Sequence, residues 1–109
     1  MVDIMNNTKN YNLFLGLNDK DSKKQEITTI DAFKIVSNLA TQFFDGCTIT
    51  QSQGYYKDSN NNLILENTLQ IQIATNEQKQ IFNFCKQLKT IFNQESILIY
   101  ETTYNTIFY

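Results

Sequence analysis

Leu63-Ile64-Leu65-Glu66-Asn67-Thr68-Leu69-Gln70-Ile71-Gln72-Ile73-Ala74 is the stretch whose reading decides the fold. Leu65, Leu69, Ile71 and Ile73 fall on one side of an extended chain, and Glu66, Thr68, Gln70 and Gln72 on the other. A period of two belongs to a strand with one face buried and one wet. Immediately upstream, Lys57-Asp58-Ser59-Asn60-Asn61-Asn62 has turn chemistry. Before it, residues 47–56 alternate again, with Cys47, Ile49 and Gln51 opposite Thr48, Thr50 and Ser52. The two runs predict a hairpin.

On either side of the hairpin the period changes. Thr28 or Thr29 offers an N-cap, and Asp31 in the first turn suits the positive end of a helix. Ile30, Phe33, Val36, Ala40 and Phe43, with Leu39 beside them, recur at helical spacing. The helix should stop near Phe44, because Asp45-Gly46 supplies a turn and a glycine free to take positive φ. After the hairpin, Thr75-Asn76-Glu77-Gln78 reads as a capping box with Thr75 as N-cap. Ile81, Phe84, Cys85, Leu88, Ile91 and Phe92 then mark a second helix. A short apolar strand, Tyr11 to Gly16, precedes the first helix, and another, Ser96 to Tyr100, follows the second and can extend toward Phe108.

The order is therefore β, α, β, β, α, β, with residues 1–10 a loose polar arm and 11–109 a single α+β domain. Each strand has one apolar face and each helix one apolar stripe, so both helices belong on one side of one antiparallel sheet. Right-handed crossovers favour the ferredoxin-like strand order 4-1-3-2.

The 109 residues suffice for one core. Apolar residues make up 41% and aromatics 13%, and only 18% are charged. That is a globular composition. The net charge is −2 and all nine basic residues are Lys. Nucleic-acid binding draws on clustered cations and bidentate Arg, so no nucleic-acid partner is expected. Lysines gather only in 20–24 and along 79–89, where solvated surface is the expectation. Cys47 and Cys85 make neither a disulfide framework nor a four-ligand metal site. With no His in the chain, a Cys–His pair is excluded. Two buried, reduced thiols in a cytoplasmic protein are expected, with no cofactor and no metal. Met1 to Asn10 lacks a basic start and an apolar run, and no stretch is long enough to cross a bilayer, so no membrane association is expected. The abundance of Asn, Ile, Lys and Tyr without Pro or Trp suggests an AT-rich genome, which admits a phage or plasmid accessory protein.

Several local strings carry a resemblance. They are Phe14-Leu15-Gly16, Phe44-Asp45-Gly46-Cys47-Thr48, Gly54-Tyr55-Tyr56-Lys57, Leu65-Glu66 and Phe92-Asn93-Gln94-Glu95-Ser96-Ile97-Leu98. In these the chain resembles the bacterial domain-of-unknown-function family 3574, across residues 13–100. It departs from that family at Phe44, where the family has Pro. It departs again at Tyr56 and Lys57, where the family has Trp and Arg, and at Leu65, where the family has Arg. The resemblance implies no activity, cofactor or partner.

In a 4-1-3-2 sheet, the end of strand one lies beside the starts of strands three and four. Gly16, Tyr56, Glu66, Gln94, Glu95 and Ser96 should then meet at one edge, ringed by loops 17–26 and 57–62. The ligand-binding candidates are Tyr56, Glu66, Gln94, Glu95 and Ser96, with Tyr55 an alternative stacking ring. The bland alternative has Gln94 and Glu95 finishing the second helix and Glu66 pairing with Lys57 across the hairpin. The open sheet face and the aromatics Tyr100, Tyr104, Phe108 and Tyr109 suggest a homo-oligomer. Strand three shows no aromatic on its open face, which argues against RNA recognition. The reading is a non-enzymatic, homo-oligomeric domain with a small polar ligand, such as one that sequesters a signalling molecule. The alternatives are a small dimeric enzyme using Glu66 or Glu95 for proton transfer, and a structural subunit.

Overall fold

The structure, a computed structural model, describes residues 3–5, 8–102 and 106–108. Its elements are β1 (Asp3–Met5), β2 (Lys9–Gly16), α1 (Thr29–Phe43), β3 (Thr48–Lys57), β4 (Leu63–Thr75), α2 (Gln78–Ile91), β5 (Leu98–Thr102) and β6 (Thr106–Phe108). The main sheet has the order β3-β4-β2-β5, and every neighbouring pair is antiparallel. Both helices lie on one face, and the fold is the expected ferredoxin-like α+β arrangement. The expected N-terminal arm contributes two things. Lys9 and Asn10 begin β2, and Asp3–Met5 pairs with Thr106–Phe108 in a separate two-stranded sheet. The final strand is correspondingly split into β5 and β6. Tyr104 and Tyr109 of the expected aromatic tail lie outside the described residues.

The alternation of β2 and β4 determines where the core sits. Tyr11, Leu13 and Leu15 pair with Ile73, Ile71 and Leu69, and all six side chains are buried under the helices. Burying a Leu or Ile fully is worth about 1.5–3 kcal/mol, so this double row is the main cohesive surface. Ala32, Val36 and Ala40 of α1 face it. Small residues at successive turns let the helix axis approach the sheet closely. From α2 come Ile81, Phe84, Cys85 and Leu88. Phe43 and Phe44 close on Phe84, the Phe44 ring edge-on at 5.6 Å.

Three apolar residues expected in the core are not there. Ile30 is 71% exposed, because on a 3.6-residue turn it lies nearly opposite Ala32. Ile91 is partly exposed at the end of α2, where Phe92 turns inward instead. Leu65 is 50% exposed, because the hairpin outruns the sheet. Strand β2 ends opposite Thr68, while β3 and β4 continue paired through Gln53↔Asn67 to Lys57↔Leu63. Tyr55, Leu63 and Leu65 therefore sit on the helix-side face of a two-stranded arm with no helix above them.

The caps differ in detail. Thr28 accepts the Asp31 amide and caps α1 as expected. The capping box at Thr75 does not form. Its hydroxyl accepts from the Glu77 amide, α2 starts at Gln78, two residues later than a Thr75 cap would start it, and Glu77 stands at the N-cap without a side-chain bond. Thr75 is still the last residue of β4, so its backbone belongs to the ladder and cannot also open the helix. The expected positive-φ glycine at position 46 is not found. Positive φ is taken instead by Lys23, Asn61 and Asn93, three turns in which side-chain and backbone bonds hold the chain.

Truncating Leu69 to Ala should cost about 2–5 kcal/mol in urea unfolding, since the site is closed on all sides. Ile30→Ala should stay within about 0.5 kcal/mol of wild type. Equal losses in the two variants would contradict this placement of the core.

Candidate functional site

The expected convergence of strand ends is present. Phe14 pairs with Leu98 on one side of β2, and Gly16 pairs with Thr68 on the other. On the far side of β4, Gly54 stands opposite Glu66. On the open face these positions form a shallow floor with two residues lacking a Cβ, Gly16 and Gly54. Above the floor is a cavity of about 620 Å³, in the range of small-ligand sites. Tyr56, Glu66, Gln94, Glu95 and Ser96 all line it. Loop 17–26 closes one side through Asn18, Asp19, Lys20 and Lys23. Of the other expected loop, residues 58–62 do not line it, because the arm carries the turn past the site. Tyr55 is on the opposite face of β3, its hydroxyl donating to Gln53.

Glu66 is the organising side chain. Its carboxylate lies flat over Gly16, and a methyl there would fall inside van der Waals contact of Cδ and both oxygens. Oε2 accepts the Asn18 amide at 2.9 Å. Oε1 takes no donor among the described residues. The expected cross-hairpin pair with Lys57 is not formed, since Lys57 lies at the far end of β3 opposite Leu63.

Asn18 is held in turn from below. Its carbonyl accepts from Gln94 Nε2 at 2.6 Å, and the same amide group reaches the Phe92 carbonyl. Gln94 thus fixes the corner after α2, as the bland alternative expected, while also touching the cavity. Glu95 does not share that duty. It is exposed and makes no hydrogen bond among the described residues. Ser96 is an exposed residue just before β5.

Loop 17–26 is ordered by its own polar chemistry. Asp19 accepts the amides of Asp21 and Ser22 at 2.8 and 2.9 Å. Asn93, in the left-handed region at φ 48, donates to both Asp19 and Asp21, and its carbonyl accepts the Lys20 amide. Gln25 accepts from the Asn67 side chain at 2.8 Å. The Ser22 amide, the Asn93 side chain and the Asp21 amide together hold the Asp19 carboxyl below its ordinary value. Sequence reading missed Asn18, Asp19 and Asn93. Their signal was an Asx-rich loop directly after a strand, which points to a turn but not to its partners.

Neither thiol lines this cavity. Burial pushes Cys85 up to about 11 and raises Cys47 as well, so both stay protonated at neutral pH. Among the described residues no cluster of metal-ligating side chains is assembled, and no helix is long and apolar enough to cross a membrane.

Comparison with known proteins places this geometry in context. The family model described as a protein of unknown function, DUF3574, matches residues 10–108. No curated protein matches. Among solved structures, a phage SAM lyase in complex with S-methyl-5'-thioadenosine superposes with a TM-score of 0.72 at 18% identity, covering 97% of this chain and 92% of that one. The phage SAM lyase in its apo state gives 0.71 at 21% identity over 86% and 78%. CutA from Synechococcus elongatus PCC7942 gives 0.62 at 12% identity over 94% and 81%. At these identities the likeness is one of fold.

The Gly16–Glu66 contact makes a signed prediction. Gly16 has no positive φ, so Ala in this strand should stabilise by about 0.5–1 kcal/mol if nothing stood above it. Because the carboxylate is there, Gly16→Ala should instead destabilise slightly, by about 0.5–1 kcal/mol, since the flexible end of Glu66 can swing aside and only its bond to Asn18 is lost. In Glu66→Ala the same change should turn neutral or favourable. Urea unfolding of the four proteins measures the coupling.

The Asp19 bonds predict an acid limit. A folded value below the free one means that the contribution is complete above the ordinary 3.8 and is lost as pH falls through the folded value. Amide exchange at Asp21 and Ser22 should therefore accelerate below that point. Asp19→Asn should abolish the pH step while leaving exchange in β2 unchanged.

Proposed function

The chain belongs to the DUF3574 family of proteins of unknown function, and we propose that it is a homo-oligomeric binding domain that takes a small polar ligand into the cavity over Gly16. One observation carries this reading. The Glu66 carboxylate is anchored by the Asn18 amide over a floor without a Cβ, and it keeps Oε1 clear of protein donors among the described residues. A carboxylate held in one place, with an oxygen unspent, is prepared for a ligand hydroxyl, amine or cationic centre. Tyr56, Phe14 and Leu98 add apolar wall to the polar lining. A ligand with hydroxyls and a flat ring suits that mixture.

The phage SAM lyase, whose fold is similar, holds S-methyl-5'-thioadenosine. That molecule has both features, a ribose for Glu66 and a purine for an aromatic wall, so we adopt its class as the ligand class. An accessory protein that sequesters a small nucleoside-like signal is consistent with the AT-rich composition. The homo-oligomer is supported by the arm. Tyr55, Leu63 and Leu65 are exposed together on one face beyond both helices, and apolar side chains gathered there favour coverage by a second copy.

Glu95 supports a second reading. It shares the cavity with Glu66 and makes no hydrogen bond among the described residues, so a pair of carboxylates is available for proton transfer. A small enzyme acting on the same ligand class would use one of them.

Calorimetry with S-methyl-5'-thioadenosine should give saturable binding. Glu66→Gln should weaken it roughly 10- to 100-fold, the value of one hydrogen bond to a charged group. S-adenosylmethionine incubated with the protein and followed by chromatography separates the readings. Unchanged compound supports the binding domain, and consumption that stops in Glu66→Gln or Glu95→Gln supports the enzyme. If neither compound binds, the ligand class is wrong.

A further inference from the structure

The second helix carries a feature that the strand-end cavity does not use. Phe82, Lys86, Lys89 and Asn93 recur at helical spacing along α2 and just beyond it. With Lys20 of loop 17–26 opposite, they line a groove of about 540 Å³. We infer that this groove is a second ligand site, for a small phosphate-bearing anion with a flat apolar portion, of the nucleoside diphosphate type.

The charge argument comes first. The chain is net negative, yet the groove wall has three ammonium groups and no carboxylate. Two acids of loop 17–26, Asp19 and Asp21, adjoin the Asn93 end of the groove. Both are engaged by the Asn93 side chain, and Asp19 also feels the Lys20 charge. Lys86 and Lys89 have no carboxylate within ion-pair distance among the described residues. The buried Cys85 thiol at the base of the groove is neutral at pH 7 and lies within the field of Lys89.

A lysine in the last helical turn is ordinarily explained by the carbonyls it faces. Here those carbonyls already have donors. Leu88 accepts from the Phe92 amide, Lys89 from Gln94, Thr90 from Asn93, and Lys86 from the Thr90 hydroxyl. These carbonyls therefore do not need the ammonium groups as donors, and Lys89 keeps only its charge–dipole attraction to the helix end. Lysine also binds phosphate as a point charge. Phe82 supplies the flat surface, with its ring 54% exposed at the end of the same wall, spaced from Lys89 by two helical turns, about 10 Å. That separation matches the distance from a base to a terminal phosphate better than it matches a bare ion.

The groove and the strand-end cavity share Lys20 and Gln94 but no other lining residue, so the two sites are separable by mutation. Calorimetry at 150 mM salt with ADP, pyrophosphate and adenosine tests the assignment. ADP should bind, and the Lys86→Gln/Lys89→Gln protein should lose at least tenfold in affinity. Phe82→Ser should weaken ADP while leaving pyrophosphate unchanged, and Glu66→Gln should leave ADP binding intact. All of these side chains are exposed except that of the half-buried Glu66, and circular dichroism verifies that each variant is folded. Absence of ADP binding at millimolar concentration overturns the assignment. So does ADP binding that survives when Lys86→Gln/Lys89→Gln is combined with Glu66→Gln, or that disappears in Glu66→Gln alone.

Discussion

Strand β2 pairs with β4 along its whole length and with β5 along most of it, and this double pairing is the constraint from which the rest of the molecule follows. It puts Tyr11, Leu13 and Leu15 under the helices and Asn12, Phe14 and Gly16 on the open face. A slip of one residue would exchange the two sets, drive polar groups into the core and expose the apolar row. The register is therefore held by the full hydrophobic energy of the domain. The Gly16–Glu66 contact inherits that rigidity. Glu66 lies two residues before Thr68, the partner of Gly16, so its side chain returns over the glycine on the same face.

The site is assembled where the sheet changes width. Four strands with helices behind them become a two-stranded arm at the end of β2. The chain leaving Gly16 cannot continue the ladder past Leu17, whose amide makes a last bond to Asn67. It turns over the step as loop 17–26. That step creates a concave corner, and the Asn18 amide of the loop meets the Glu66 carboxylate there. The corner after α2 completes it, because Asn93 and Gln94 spend their side chains on the loop. Helix end, loop and strand end are thus coupled through a few polar contacts, while cohesion comes from the apolar rows further along the sheet.

These two parts answer to different physics. The core is non-directional and tolerates changes of shape. The corner depends on geometry, since a hydrogen bond weakens as its length grows and steeply as its angle departs from linear. Substitutions in the core should act on stability, and those at Asn18, Asn93 or Gln94 on the placement of Glu66.

The amino-acid sequence by itself determined the four strands and two helices of the main layer, their order, the strand order and the convergence of Tyr56, Glu66, Gln94, Glu95 and Ser96, because hydrophobic period and crossover handedness are local or topological rules, but not the small β1–β6 sheet, whose pairing joins the two ends of the described chain. It could not reveal that Leu65 would be exposed, since burial of a strand residue depends on how far the helices reach. Nor could it show that Gly16 makes room for a carboxylate fifty residues away, that Asn18 rather than Lys57 would hold Glu66, or that Asn93 would bind two aspartates of a distant loop. Those contacts join segments whose separation is set only when the sheet closes, and a polar side chain has many equivalent partners until tertiary structure leaves it one.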